Sequence, residues 1–129
     1  MSDYFNKVKH FLLDLEYTIV KEDPKEQILI IERENEFIKN MIIAVDDTTV
    51  IIEQPLFKLK SDDSKILKKL LRKNRDLISG ALALDDNDTV IYRDTLQVEN
   101  LDINELETSI DSLSIFLSES ADEFLQYAK

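Results

Sequence analysis

The chain has 129 residues, with 27 acidic and 16 basic side chains for a formal charge of −11, one glycine, two prolines, one histidine and neither cysteine nor tryptophan. These counts exclude a disulfide framework, a zinc ribbon, a thiol nucleophile and a multi-histidine metal site. Hydrophobic residues make up 43%, and a chain of this length can bury roughly two thirds of its unfolded surface. One compact domain over residues 1–129 is therefore expected.

The charge is unevenly placed. Residues 1–75 carry 14 acidic and 14 basic side chains, whereas residues 76–129 carry 13 acidic side chains against Arg93 and Lys129. Such a surface repels phosphate backbones and anionic lipid, whose binding depends on lysine and arginine displacing counterions. Neither nucleic acid nor a membrane is expected as a partner. No window reaches the roughly 18 consecutive apolar residues of a membrane span. The opening MSDYFNKVKH lacks the layout of a signal peptide, so a cytoplasmic location is expected.

From Ser2 to Leu15, Phe5, Val8, Leu12 and Leu15 recur at steps of three and four with Phe11 alongside, which predicts an amphipathic helix capped by Ser2 or Asp3. From Tyr17 to Leu59 the apolar clusters are Tyr17/Ile19/Val20, Ile28 to Ile31, Phe37 to Val45 and Val50 to Ile52. Their separators, around Asp23-Pro24, Glu34-Asn35-Glu36 and Asp46-Asp47-Thr48, leave room only for tight connections, so an antiparallel meander of four strands is expected. Asparagine and aspartate tolerate a left-handed backbone, which lets hairpins form with almost no glycine. Pro55 marks the end of the fourth strand or an edge position, since it cannot donate to a ladder.

Ser61-Asp62-Asp63-Ser64 reads as the cap of a second helix, with Ile66, Leu67, Leu70 and Leu71 on one side and Lys65, Lys68, Lys69, Arg72, Lys73 and Arg75 on the other. Residues 78–95 read as a second hairpin turning at Asp85 to Asp88. Asp102 and Glu105 form a capping box for the last helix, whose stripe Ile103, Leu106, Ile110, Leu113, Leu117, Ala121 and Phe124 is widened by Ile115, Phe116 and Leu125. A stripe this broad suits packing across a sheet face.

The acidic clusters have plain explanations. With Asp86 as first ligand of a calcium loop, Ile91 falls where glycine is required and Gln97 where a bidentate glutamate is required, so Asp85 to Asp88 read as a turn. Asp46-Asp47 and Asp62-Asp63 read as turn and cap. Glu32 and Glu34 could do acid and base chemistry only if burial or repulsion separated their pKa values, and on alternating strands such residues face water. His10 has no serine or cysteine in a nucleophile motif to serve. The basic stripe of the second helix would suit an acidic target, the acidic C-terminal third of another copy, or plain solvent.

The order helix, four strands, helix, two strands, helix, together with LLRKN, ISGALALDDNDTVIYRDTL and LDINELETSIDSL in the second half, resembles the class I type III secretion chaperone superfamily, which includes Tir-chaperone and YbjN-type domains. An apparent extra strand between the first two helices departs from the simple pattern. The resemblance implies an α+β fold, an antiparallel sheet with helices packed on it. It also implies a cytoplasmic homodimer that binds another polypeptide through apolar patches, without catalysis, metal or cofactor. The expected partner-binding residues are Phe5, Val8 and Leu12 on the first helix with Ile28, Ile30, Ile43 and Val45 on the sheet. Their periodicity gives each a claim on the core as well. For the dimer interface the resemblance points to Leu67, Leu70 and Leu71. The competing readings are a small carboxylate-based hydrolase or ligand-binding enzyme, which needs buried acids in a concave pocket, and a purely structural homodimer.

Overall fold

The computed structural model describes residues 3–60 and 63–128. Ser2, Ser61, Asp62 and Lys129, which enter the cap and charge expectations above, lie outside them. The elements are α1 (Tyr4–Asp14), β1 (Thr18–Asp23), β2 (Ile28–Arg33), β3 (Ile38–Val45), β4 (Thr49–Lys58), α2 (Ser64–Lys73), β5 (Ala81–Leu84), β6 (Thr89–Gln97) and α3 (Ile103–Tyr127), with single 3-10 turns at Glu34–Glu36 and Asn74–Asp76. This is the α-β-β-β-β-α-β-β-α order expected of the sequence. The six strands form one antiparallel sheet in the order β1-β2-β3-β4-β6-β5.

Alternation along the strands divides the sheet into two unlike faces. Leu29 and Ile31, Met41, Ile43 and Val45, Val50 and Ile52, and Val90 and Tyr92 point to one side. There they meet Phe5, Val8 and Leu12 of α1 and Leu106, Ile110, Leu113 and Phe116 of α3 in a continuous core. On the other side Lys21, Ile30, Ile42, Glu53, Arg93 and Ala81 form one cross-strand row, and Asp23, Ile28, Ala44, Ile51 and Thr95 the next. Ile28, Ile30, Ile42, Ala44 and Ile51 in these rows are only half-buried and lie outside the core, and Ala81 is exposed.

The hairpins close mainly through aspartate side chains. The Asp46 carboxylate accepts the backbone N–H groups of Thr48 and Thr49 at 2.7 Å each. Asp85 accepts those of Asn87 and Thr89 at 2.8 and 2.9 Å, and Asp23 accepts that of Glu26. These are Asx turns, in which the side chain takes the place of a backbone carbonyl. Left-handed backbone does occur at Asn40, Asp88 and Asn100, but also at Glu16, Gln27 and Phe37, which the preference for asparagine and aspartate does not foresee. Asp3 does not cap α1 with its side chain and instead accepts from the Asn6 amide. Asp63 and Asp102 cap α2 and α3, through Lys65 and Glu105 N–H.

A polar clasp ties the last hairpin to α3. Ser79 and Ser109 both donate hydroxyls to one Asp94 oxygen, at 2.5 and 2.6 Å. Ser112 donates to the Ser79 carbonyl at 2.7 Å and accepts from the Ser79 N–H. The buried Tyr92 hydroxyl donates to the Ser109 carbonyl at 2.6 Å. Gly80 lies against the Tyr92 ring with φ +77°, and a Cβ there would approach Tyr92 to 2.6 Å. The single glycine is thus required both by its backbone and by its neighbour.

Burial pushes the Tyr92 phenol up to about 12 from 10.0. A raised pKa on an acid means the clasp stabilises the fold fully below about pH 10 and loses that contribution as pH rises towards 12. Tyr92→Phe should cost about 1 to 3 kcal/mol at neutral pH through the hydroxyl's lost hydrogen bonding and should flatten the fall in stability across that alkaline window. Denaturant titrations of both proteins at several pH values check this.

Candidate functional site

The β3 and β4 strands pair from Val45↔Val50 to Ile42↔Glu53 and then part. The reason lies in the sequence. Asp46 N–H bonds to the Thr49 carbonyl, so by the two-residue alternation of an antiparallel ladder Ile51, Glu53 and Pro55 also present their backbone groups to β3. Pro55 has no N–H to give. Beyond it β4 continues to Lys58, paired among the described residues with β6 through a bulge between Pro55 and Phe57. Pro55 therefore does not end the strand; it occupies an edge created inside the sheet.

Gln54 bridges the parting. It is buried, its Oε1 accepts from the Lys39 N–H at 3.1 Å, and its Nε2 donates to the Phe37 carbonyl at 2.9 Å. The side-chain amide stands in for the missing peptide and holds β3 away from β4. Phe37 and Asn40, on either side of this bridge, have φ of 67° and 53°. A left-handed phenylalanine is strained, and such strain is tolerated where surrounding structure over-determines it.

The gap opens into a groove of about 370 Å³, walled on one side by Phe37, Lys39 and Asn40, below by Pro55, Leu56 and Phe57, and on the other side by Leu117, Ala121, Phe124, Leu125 and Ala128. Its floor is aromatic: Phe57 packs on Phe124 at 5.1 Å between ring centroids, and Phe124 on Phe116 at 5.6 Å. At its mouth Phe37 is 43% exposed and Leu125 is 74% exposed. Large apolar side chains left open around a concave floor favour contact with another apolar surface.

A second apolar surface lies between α2 and β5. Leu67, Leu71 and Leu84 are exposed around a shallow depression also lined by Leu70, Leu82, Ala83 and Val90. Of the expected dimer residues, Leu70 turns inward and is buried, while Leu67 and Leu71 face out, the latter 72% exposed.

The expected partner-binding residues do not meet on one surface. Phe5, Val8, Leu12, Ile43 and Val45 are buried beneath the helices, so they serve the core of this chain. Ile28 and Ile30 lie half-buried on the opposite face of the sheet. None of the seven lines the groove. The groove residues were not singled out in the sequence because their signal is diffuse. Leu125 widens the α3 stripe, Pro55 interrupts the ladder, and Gln54 looks like a solvent-facing polar residue on an alternating strand.

Carboxylate chemistry finds a different setting. Glu36 pairs with Arg33 at 2.9 Å, and the Arg33 guanidinium stacks on Tyr17 at 3.8 Å while donating to the Leu15 carbonyl. Asp111 on α3 faces this cluster. Burial and the charges of Glu107 and Glu36 raise its pKa, with Arg33 acting against them. Burial likewise pushes the Tyr17 phenol up to about 12. Arg33 ties the end of α1 to β2, and none of the acids of this cluster lines the groove. Ser79 and Ser109 spend their hydroxyls on Asp94, and no histidine adjoins them, since His10 is exposed on α1. No group of acids and histidines among the described residues is placed to hold a metal ion, and no helix of the described residues is long and apolar enough to cross a membrane.

Three solved structures share the fold. The chain is similar to the type III secretion chaperone SycH of Yersinia pestis in complex with a fragment of YscM2, at 17% identity over 97% of this chain and 99% of that one, with a TM-score of 0.61. It is similar to YbjN of E. coli, described as a putative transcription regulator, at 16% identity over 92% and 91%, with a TM-score of 0.67. Likeness to the HopA1-SchA chaperone-effector complex extends over 88% and 91% at 16% identity, with a TM-score of 0.63. No curated protein matches the chain. The CesT_Tir_1 family model covers residues 1–129, and the chain belongs to that family.

Proposed function

We propose that this protein is a non-catalytic, chaperone-like binding module, a single domain that holds a segment of another polypeptide in the groove between the parted strands and α3. The observation that carries this reading is the open aromatic floor with Phe37 and Leu125 standing free at its mouth. Two of the similar structures hold a chaperone with a second polypeptide, which supports the same reading. A surface charge of −11 keeps a molecule with exposed apolar patches dispersed, and the setting is the cytoplasm. Neither metal nor cofactor enters this function. Ile28 and Ile30, with Ile42 and Ile51 beside them, offer a further apolar contact on the uncovered face of the sheet.

The protein works as a homodimer joined through Leu67 and Leu71 of α2, with Leu70 beneath them and Leu84 of β5 at the side. The exposure of Leu67, Leu71 and Leu84 around one depression supports this arrangement. The hydrolase alternative finds no support in the groove, where the one charged lining residue is Lys39.

A photo-crosslinking amino acid at position 125, expressed in the source cells, should yield a discrete adduct with a different polypeptide, and the same label at exposed Lys68 should not. Equal, diffuse labelling at both positions would refute the groove as the binding site. Phe37→Gly separates binding from folding. Relief of the left-handed strain should leave stability unchanged or raise it by up to about 1 kcal/mol, while the adduct at position 125 weakens several-fold. Leu71→Glu should convert the dimer to monomer in light scattering, with an unchanged circular dichroism spectrum.

A further inference from the structure

The basic stripe of α2 belongs neither to the groove nor to the apolar depression beside β5, and it builds a cleft of its own. Residues 65–75 hold six of the 16 basic side chains and no acid, on a chain whose net charge is −11. Lys69, Arg72 and Lys73 stand at steps of three and four, so they share one flank of the helix. Two residues, about 200° of helical turn, separate Lys69 from Leu67 and Lys73 from Leu71, so this flank faces away from the apolar depression. It faces α3 instead, where the Lys73 ammonium meets Glu123 at 3.2 Å. Past the end of α2 the 3-10 turn Asn74–Asp76 brings two further charges to the same place. Lys69, Arg72, Lys73, Arg75, Asp76 and Glu123 together line a cleft of about 310 Å³.

Among the described residues, Lys73 alone of the four cations is paired with a carboxylate. Lys69, Arg72 and Arg75 are exposed and held close together without a counter-charge of their own. Arg75 is also set in advance. Its Nε donates to the Arg72 carbonyl at 3.3 Å, which orients the guanidinium plane and leaves its terminal nitrogens for another acceptor. We infer that the cleft between α2 and α3 binds a compact polyanion of linked phosphates, a triphosphate group, through Lys69, Arg72, Lys73 and Arg75. A singly charged anion gains little there, because Asp76 and Glu123 already answer part of the positive charge. Several charges on one small ligand overcome them, and guanidinium forks take phosphate oxygens two at a time. A long polyanion fares worse, since it runs on over the acidic remainder of the surface. Salt screens charges beyond about 8 Å, so a ligand of triphosphate size responds to these four cations and not to the charge of the whole chain. Its arrival draws Lys73 away from Glu123.

Calorimetric titration of inorganic triphosphate into the purified protein, at low ionic strength and without divalent cations, tests this. Triphosphate should bind at one site per chain and more weakly as salt is raised. The Arg72→Glu, Arg75→Glu double variant should lose at least ten-fold in affinity, with an unchanged circular dichroism spectrum because both side chains are exposed. Glu123→Gln removes the competing carboxylate and should tighten binding several-fold. Glu26→Gln makes the same change in net charge in the β1–β2 turn, at the sheet edge opposite β5, and should leave binding as it was. ATP in place of inorganic triphosphate separates two sources of the same chemistry. Equal affinity supports a site for the phosphates alone, and tighter binding supports one that extends to a nucleoside. Equal tightening by Glu123→Gln and Glu26→Gln would overturn the inference, since attraction would then follow net charge and not the cleft. A hexaglutamate peptide that binds as tightly as triphosphate would assign the cleft to acidic polypeptides and overturn it too. So would the absence of both binding heat and a rise in Tm at millimolar triphosphate.

Discussion

A hydrogen bond that cannot be made shapes this molecule. Antiparallel strands stay together because each exchanges N–H and carbonyl groups with its neighbour, and Pro55 withdraws one donor where β3 would call for it. The ladder between β3 and β4 stops at Ile42↔Glu53, and β4 goes on paired with β6. Everything that distinguishes the surface near α3 follows from that parting. The Gln54 amide spans it, the bulge after Pro55 turns Phe57 onto Phe124, and the second half of α3 overlies a gap in place of a closed sheet.

The two halves of α3 accordingly do different work. Leu106, Ile110 and Leu113 are fully buried against the core, Ser109 ties the helix to β6 through Asp94, and Ser112 ties it to the Ser79 backbone. Further along, Leu117, Phe124 and Leu125 form the groove wall, and Lys73 of α2 reaches across to Glu123 at 3.2 Å. A rigid first half anchors the helix, so the second half can hold apolar side chains open to solvent without a compensating layer. The acids on α3 divide in the same way: burial and the neighbouring Glu107 and Glu36 hold the Asp111 pKa up, whereas Glu119 and Asp122 remain solvated.

Most of the architecture was legible in the sequence because it depends on periodicity. The three helices, the four-strand meander and the late hairpin all follow from steps of three and four or of two. The face a residue occupies was harder to read. Ile28, Ile30, Ile43 and Val45 look alike in sequence, yet one-residue alternation sends the first pair to the uncovered face and the second beneath the helices. Phe5, Val8 and Leu12 have the inward-facing periodicity that gave them a claim on the core as well as on a partner, and they are buried there. The groove was hidden for a further reason. Its residues come from β3, β4 and the end of α3, and only the tertiary parting caused by Pro55 brings Phe37 and Leu125 to one opening. Gln54 could not be told from a solvated glutamine, since its value lies in two backbone partners supplied by another strand.

The turns of this glycine-poor sheet carry an unremarked liability. Because the Asp46 carboxylate receives the N–H groups of Thr48 and Thr49, those bonds hold its pKa below the usual 3.8. A depressed carboxylate stabilises above its unfolded pKa and forfeits that contribution as protons are added. Where other sheets turn on glycine, indifferent to acidity, this one closes the turn between β3 and β4 on the ionised oxygen of Asp46, so strongly acidic surroundings would loosen that corner.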